Sequence, residues 1–196
     1  TLITLVAVVA APVLALVFAP GFEGDGNKLG LTADLLRITF PYLLLISMTG
    51  FLGSLLNHAQ RFVIPALTPV LLNLSLITAA LWLAPQMRVP VMALAWGVMV
   101  AGILQLALQL PFVAQLGLLV RPRLGFTDSR VKQVMKLMLP AMFGVSVSQI
   151  NLLLDTVLAS LLQTGSVSWL YYSDRLMELP LGVFGIAIAT VILPGL

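Results

Sequence analysis

Stretches of about twenty apolar residues recur along the chain, and they restrict its fold more than any other feature. Six can be drawn, at about Leu2–Ala19, Leu35–Asn57, Ile64–Ala84, Val91–Val113, Leu137–Leu162 and Val167–Leu193. A helix of this length crosses the hydrocarbon core of a bilayer and satisfies its own backbone hydrogen bonds there. Only 9% of the residues are charged, far fewer than a water-soluble surface requires. The sequence therefore predicts an all-α integral membrane protein, a polytopic bundle of six transmembrane helices.

Lys and Arg are divided unevenly between the connections. The connections after the second and fourth stretches hold Arg61, Arg121, Arg123, Arg130, Lys132 and Lys136. Those after the first and third stretches, with their flanks, hold Lys28, Arg37 and Arg88. Cytoplasmic loops carry the excess of basic residues, so we expect the first group inside the cell and the first helix to begin there. The net charge of +3 is thus attributed to membrane topology, and no nucleic-acid partner is expected.

The sixth stretch contains three ionisable residues, Asp174, Arg175 and Glu178. A charged side chain at the centre of a membrane helix costs about 2.5–3.5 kcal/mol, and such groups usually belong to an ion or substrate pathway. Residues at intervals of four and three lie on one helix face. That face here contains Tyr171, Arg175, Glu178, Gly182, Gly185 and Ala189. The pattern predicts a face that is polar in one half, small in the other, and directed into the protein.

The fifth stretch has a matching polar face with Gly144, Ser148, Asn151 and Asp155. Because only LLQTGS connects the two stretches, we expect antiparallel neighbours whose polar faces line a common water-filled cavity. The candidate substrate-binding residues are Arg175, Asp174, Glu178, Ser148 and Asn151.

Two alternatives remain open from the residues alone. Arg175 and Glu178 are three positions apart and could simply neutralise each other without any function. Asp155 could be protonated or paired with a helix from elsewhere. It could also bind a hard cation such as Na⁺, since carboxylate, amide and hydroxyl oxygens suit such ions.

The sequence contains few residues or motifs typical of disulfides, metal sites, nucleotide binding or catalysis. The chain has no Cys, which rules out disulfides and thiolate metal sites. Its single histidine, His58, lies beside Arg61 at a predicted cytoplasmic helix end. We find no nucleotide-binding loop, paired metal-ligand motif or Ser–His–Asp set, and we expect no enzymatic activity. The chain begins on Thr1 within an apolar run, and we expect it to be a segment of a longer membrane protein.

Three motifs resemble one protein family. TGSVSWLYYSDRLMELPLGVFGIAIATVILP is similar to the seventh-to-eighth helix region of the MurJ (MviN) lipid II flippases. NHAQRFVIPALTPVLLNLSLI resembles their fourth-to-fifth helix region, and LRITFPYLLLISM their fourth helix. The resemblance implies helices three to eight of fourteen. Residues 1–113 would complete the N-terminal lobe, residues 114–136 would be a basic cytoplasmic linker, and residues 137–196 would begin the C-terminal lobe.

The resemblance also implies a function. The family moves undecaprenyl-diphosphate-linked glycopeptide, lipid II, from the inner to the outer leaflet of the bacterial cytoplasmic membrane for peptidoglycan synthesis. It does so by alternating access of two lobes around a cationic cavity, in contact with membrane lipids. Arg175 would correspond to a cavity arginine, and Asp155 to an acidic sodium ligand of some members; no other cofactor is expected.

Two rival functions are compatible with the residues. One is a cation-coupled exporter of drugs or lipid-linked polysaccharides from the same superfamily. The other is a membrane enzyme acting on polyprenyl phosphates, although such chemistry favours acidic or His clusters with a metal at a membrane face.

Overall fold

The computed structural model describes residues 2–22, 26–119 and 129–180, and within these ranges it is helical and contains no β-strand. Its α-helices are α1 (Leu2–Val9), α2 (Ala11–Phe18), α3 (Gly26–Thr39), α4 (Tyr42–His58), α5 (Val63–Ala66), α6 (Thr68–Thr78), α7 (Val91–Gln115), α8 (Ser129–Ser160) and α9 (Ser166–Pro180). A π-helical turn at Ala79–Leu83 and a 3₁₀ turn at Ala84–Gln86 extend α6. The predicted all-α class is confirmed.

Among the described residues, four helical stretches are long and apolar enough to cross a membrane: Asn27–His58, Val63–Gln86, Val91–Gln115 and Val131–Ser160. They contain the second to fourth predicted spans and all but the last two residues of the fifth. The first predicted span is helical but interrupted at Ala10, although the Leu14 amide still donates to the Ala10 carbonyl at 2.9 Å. The sixth is described only as far as Pro180, and its remaining residues lie outside the described part.

Two helices begin earlier than the sequence indicated. The polar connection after the first span was expected to continue to Asp34, but α3 begins at Gly26. Likewise α8 begins at Ser129, within the predicted linker 114–136, and not near Leu137. At a rise of about 1.5 Å per residue, the 32 residues of α8 and the 32 residues of the helical stretch Asn27–His58, which contains most of α3, each extend about 48 Å, longer than the roughly 30 Å hydrocarbon core. Polar residues at the ends of a helix that extends out of the membrane keep the helical backbone, and hydropathy alone does not detect them.

The break between α3 and α4 has a local cause. Pro41 has no amide hydrogen and cannot donate to the carbonyl of Arg37, so the regular ladder of hydrogen bonds stops there. The helix resumes at once, because the Leu44 amide donates to the Pro41 carbonyl at 3.2 Å. Proline therefore interrupts the helical hydrogen bonds of this long stretch without ending the stretch.

The chain forms two compact units, one of residues 1–15 and 27–131 and the other of residues 16–26 and 132–196. In the first unit, α4 and α6 both pack on α7. A row of buried α7 residues recurs at every fourth position, namely Ala93, Gly97, Ala101, Gln105, Gln109 and Val113. The side chains are small in the first half of this face and larger and partly polar in the second half. The apolar core of the unit lies at Leu52 and Leu56 of α4 and Val113 of α7.

The close approach of α6 to α7 depends on Gly97. A Cβ atom at this position would lie 2.9 Å from the Cβ of Ala79 and 3.4 Å from the carbonyl oxygen of Ser75. The first distance is shorter than an ordinary carbon–carbon contact of about 3.5–4.0 Å. Small residues permit this kind of backbone approach between membrane helices, where dispersion contacts replace the hydrophobic effect as the driving force.

In the second unit, residues near Pro20–Phe22 cover the end of α8. The Gly21 amide donates to the Ser160 hydroxyl at 3.3 Å, and a Cβ at Gly21 would overlap the Ser160 carbonyl oxygen. Ser160 is buried, with 4% of its surface exposed. This contact between residues far apart in sequence was not predicted.

The outer faces of the helices are apolar. Large side chains such as Ile3, Phe143 and Leu176 are 79%, 77% and 75% exposed, respectively. Exposed apolar side chains of this size and number require lipid or another apolar surface as their solvent.

Candidate functional site

A cleft of about 380 Å³ lies within the second unit, between α8 and α9. The two helices are connected by residues 161–165, where Gly165 adopts a positive φ of 107°. The cleft is lined by Leu152, Asp155 and Thr156 of α8 and by Val167, Leu170, Tyr171, Asp174, Arg175 and Glu178 of α9. Apart from Leu152, Val167 and Leu170, the lining is ionisable or hydroxyl-bearing.

Helical spacing aligns the key groups of α9. Tyr171, Arg175 and Glu178 follow one another at intervals of four and three, so their side chains form a row along one face. Arg175 Nη1 donates to Glu178 Oε2 at 2.7 Å. The Arg175 guanidinium carbon lies 5.2 Å from the centre of the Tyr171 ring, within the range of a cation–π contact. The guanidinium is therefore held by its own helix, one turn before and one turn after it.

This ion pair is open to its surroundings. The side chains of Arg175 and Glu178 are 61% and 62% exposed, respectively. An exposed pair of this kind contributes only about 0.2–1 kcal/mol in water because solvent screens it. The neutralising pair considered from the sequence is thus present in the structure, in a form weak enough to exchange with another anion.

The cleft contains more negative than positive charge. Its lining has one guanidinium, that of Arg175, and three carboxyl groups, those of Asp155, Asp174 and Glu178. With all of them ionised, the formal charge is one minus three, or −2. The described part of the cleft would therefore attract a cation more readily than an anion, and an anionic ligand would rely on close contact with Arg175.

The structure brings together four of the six residues predicted from sequence. Asp155, Asp174, Arg175 and Glu178 all line the cleft. Asn151 is exposed on α8, one helical turn further from the connecting turn, and does not line it. The side chain of Ser148 lies outside the described part, as do Gly182, Gly185 and Ala189 of the predicted small face.

A second polar feature, in the first unit, was missed. The side-chain amide of Gln105 donates to the Thr68 carbonyl at 2.8 Å, and the Tyr42 hydroxyl donates to Gln105 Oε1 at 3.4 Å. These bonds connect α4, α6 and α7. Gln109, one turn further along α7, is 1% exposed, and its Oε1 has no hydrogen-bond partner in the described part of the chain. Two glutamines four positions apart in an apolar helix were the signal that could have revealed this face.

The sodium ligand expected at Asp155 has incomplete support. The described residues contain no group of three or more Asp, Glu, His or Cys side chains able to hold a metal ion. Thr156 is beside Asp155 in the lining, and its hydroxyl already donates to the Leu152 carbonyl at 2.8 Å. A complete ion site would therefore need oxygen ligands from elsewhere, and we derive no transport step through such an ion.

The fold and the site define a polytopic α-helical membrane protein with ionisable side chains in a cleft between two of its helices. A family model described as "Lipid II flippase MurJ" matches residues 1–196. The chain belongs to this family, which confirms the resemblance seen in its motifs. It is accordingly a multi-pass protein of the bacterial inner membrane.

Individual proteins that are similar to this chain have the same family description. The chain is 52% identical over 203 residues to the "Probable lipid II flippase MurJ" of Haemophilus influenzae, covering 100% of this chain and 40% of the relative. The protein with the same description from Vibrio cholerae is 48% identical, with 100% and 39% covered. The "Lipid II flippase MurJ" of Burkholderia cenocepacia is 40% identical, with 99% and 38% covered. The chain thus spans about two fifths of the length of these curated relatives.

Proposed function

We propose that this chain is part of a flippase that moves lipid II from the inner to the outer leaflet of the bacterial cytoplasmic membrane. The observation that carries the proposal is an arginine on α9, open to a cleft, in a chain that belongs to the lipid II flippase family. The protein would act as a transporter and not as an enzyme, with lipid II and membrane lipids as its partners.

The chemistry of the cargo explains why an arginine is needed. A diphosphate cannot cross hydrocarbon unassisted, because burying an unpaired charge costs far more than one contact returns. A guanidinium is always charged and presents parallel N–H donors that match two phosphate oxygens. Arg175 would meet the diphosphate within a hydrated cleft, while the polyprenyl tail stays among the lipid chains.

Alternating access would complete the cycle. Transporters commonly bind their cargo near the middle of the membrane and expose the site first to one side and then to the other by rocking of two halves. The assignment of residues 1–113 and 137–196 to different lobes is part of the proposal, and the compact units of the chain differ from it in one respect, since residues 16–26 belong with residues 132–196.

The role of Arg175 can be tested in a complete family member that contains this segment. The protein is reconstituted into liposomes with labelled lipid II, and the label that becomes accessible to a membrane-impermeant reagent is followed over time. Arg175→Ala should abolish translocation. Arg175→Lys keeps the charge but loses the paired donors. It should slow translocation by about tenfold, which corresponds to a loss of roughly 1.4 kcal/mol of interaction free energy.

Arg37 provides a matched control for this test. It forms an ion pair with Asp34 at 2.9 Å, also three positions apart and about half exposed, but it lies on α3 outside the cleft. Arg37→Ala should leave translocation near the level of the unchanged protein. Equal rates for Arg175→Ala and Arg37→Ala would refute the proposed role of Arg175.

We propose in addition that Asp155 contributes one ligand to a sodium ion. Asp155→Asn keeps the shape of the side chain and removes its charge, so any sodium dependence of translocation should disappear. If the dependence on sodium is the same in both proteins, Asp155 is not a ligand.

A further inference from the structure

The guanidinium of Arg175 is already occupied in the structure. Glu178 accepts a hydrogen bond from its Nη1 at 2.7 Å, and the Tyr171 ring lies against it at 5.2 Å. Both partners come from the same helix, so the arrangement needs no other part of the protein. A cargo diphosphate that binds Arg175 must therefore compete with a carboxylate.

The geometry favours an exchange of anions over simple addition. Glu178 contacts the guanidinium through one nitrogen, whereas a diphosphate can accept two parallel hydrogen bonds from the same group. Both side chains of the pair are more than half exposed in the described part of the chain, so in a hydrated cleft Glu178 can move away from the guanidinium at little cost. Tyr171 can keep the guanidinium in place during the exchange, because a ring face attracts a cation whichever anion the cation binds.

We infer that Glu178 is a positioning residue that holds Arg175 when no cargo is bound and competes with the cargo diphosphate for it. The inference rests on the proposed function. It adds a means of release, since the returning carboxylate stabilises the emptied guanidinium and so lowers the affinity for cargo. A site without this competitor would bind the diphosphate more tightly and let it go more slowly.

The expected size of the effect follows from the exposure of the pair. Removing a competing contact of the strength typical for exposed ion pairs should tighten diphosphate binding by about two- to fivefold. The same change should lower the translocation rate at saturating cargo, because release slows. Tighter binding together with slower turnover is a combination that a merely structural role for Glu178 would not produce.

The test measures inorganic pyrophosphate binding by calorimetry, in a complete family member purified in detergent, for Glu178→Gln and two controls. Asp174→Asn removes the same charge from the same cleft without removing the recorded partner of Arg175, and so measures the general effect of negative charge. Asp34→Asn breaks the comparable pair outside the cleft and should leave pyrophosphate affinity unchanged.

Supporting results are two- to fivefold tighter pyrophosphate binding in Glu178→Gln than in Asp174→Asn, with slower lipid II translocation. Equally tighter pyrophosphate binding in Glu178→Gln and Asp174→Asn would mean that Glu178 acts only through the negative charge of the cleft, and would overturn the inference. Unchanged or weaker binding in Glu178→Gln would also overturn it. Arg175→Ala distinguishes a failure of the proposed function from a failure of the present inference. If Arg175→Ala retains full pyrophosphate affinity, the proposed function of Arg175 fails. If Arg175→Ala loses affinity but Glu178→Gln does not bind pyrophosphate more tightly, only the inference about Glu178 fails.

Discussion

Replacement of Gly97 by alanine tests the packing of α6 on α7 directly. The added Cβ would lie 2.9 Å from the Cβ of Ala79, which is shorter than a normal carbon–carbon contact by about 0.6–1.1 Å. Because Ala79 is attached rigidly to the backbone, the two helices must separate. Overpacking of this kind typically costs about 1–3 kcal/mol.

Gly50→Ala is the matched control. Gly50 lies inside α4, and in the described part of the chain a Cβ at this position would have no atom within 4 Å apart from its chain neighbours and the backbone of its own helix. Both substitutions gain the same helix propensity, about 1 kcal/mol for alanine over glycine, so this gain cancels in the comparison. We expect Gly97→Ala to be less stable than Gly50→Ala by about 1–3 kcal/mol.

The assay is unfolding of a complete family member in detergent micelles by added SDS, followed by tryptophan fluorescence. Ala79→Gly removes the atom nearest to the new Cβ, so the double variant Ala79→Gly/Gly97→Ala should recover about 1 kcal/mol or more beyond the sum of the single effects. The reasoning fails if Gly97→Ala is as stable as Gly50→Ala, or if Ala79→Gly does not rescue it.

Other substitutions give further tests. Arg175→Lys should slow lipid II translocation by about tenfold in reconstituted liposomes, since the paired donors are lost. Asp155→Asn should remove any sodium dependence from the same assay. Gln105→Met breaks the 2.8 Å bond to the Thr68 carbonyl and should cost about 0.6–1.7 kcal/mol in the SDS assay, whereas Gln109→Met should cost less because Gln109 Oε1 has no partner in the described part of the chain. Gly21→Ala should destabilise the second unit by about 1–3 kcal/mol, because its Cβ overlaps the Ser160 carbonyl.

The class of the fold could be predicted because it depends on the length and polarity of each stretch. The apolar runs predicted membrane-spanning helices, and the structure has helices of the required length and polarity at Asn27–His58, Val63–Gln86, Val91–Gln115 and Val131–Ser160. Helix starts were less accurate at Gly26 and Ser129, since hydropathy reports which solvent a stretch prefers and not where its backbone hydrogen bonds begin.

The site was partly predictable for a similar reason. The row from Tyr171 to Glu178 depends only on helical spacing, so the sequence contained it. Whether Asn151 or Asp155 would face that row depends on how two helices lie against each other, and spacing along one helix does not contain that information. The cation–π contact between Arg175 and Tyr171 was not predicted, because helical spacing puts the two residues on one face but does not give the conformations of their side chains.

The sequence by itself determined that lipid would be the solvent of this chain and that two consecutive helices would bring ionisable groups into it. Both properties are sums over neighbouring residues, and a chain needs no long-range contact to express them. Only the tertiary structure decided which of those groups share a cleft, that α6 approaches α7 closely at Gly97, and that Gln105 connects three helices. These depend on distances between residues far apart in sequence, which are set when the helices pack.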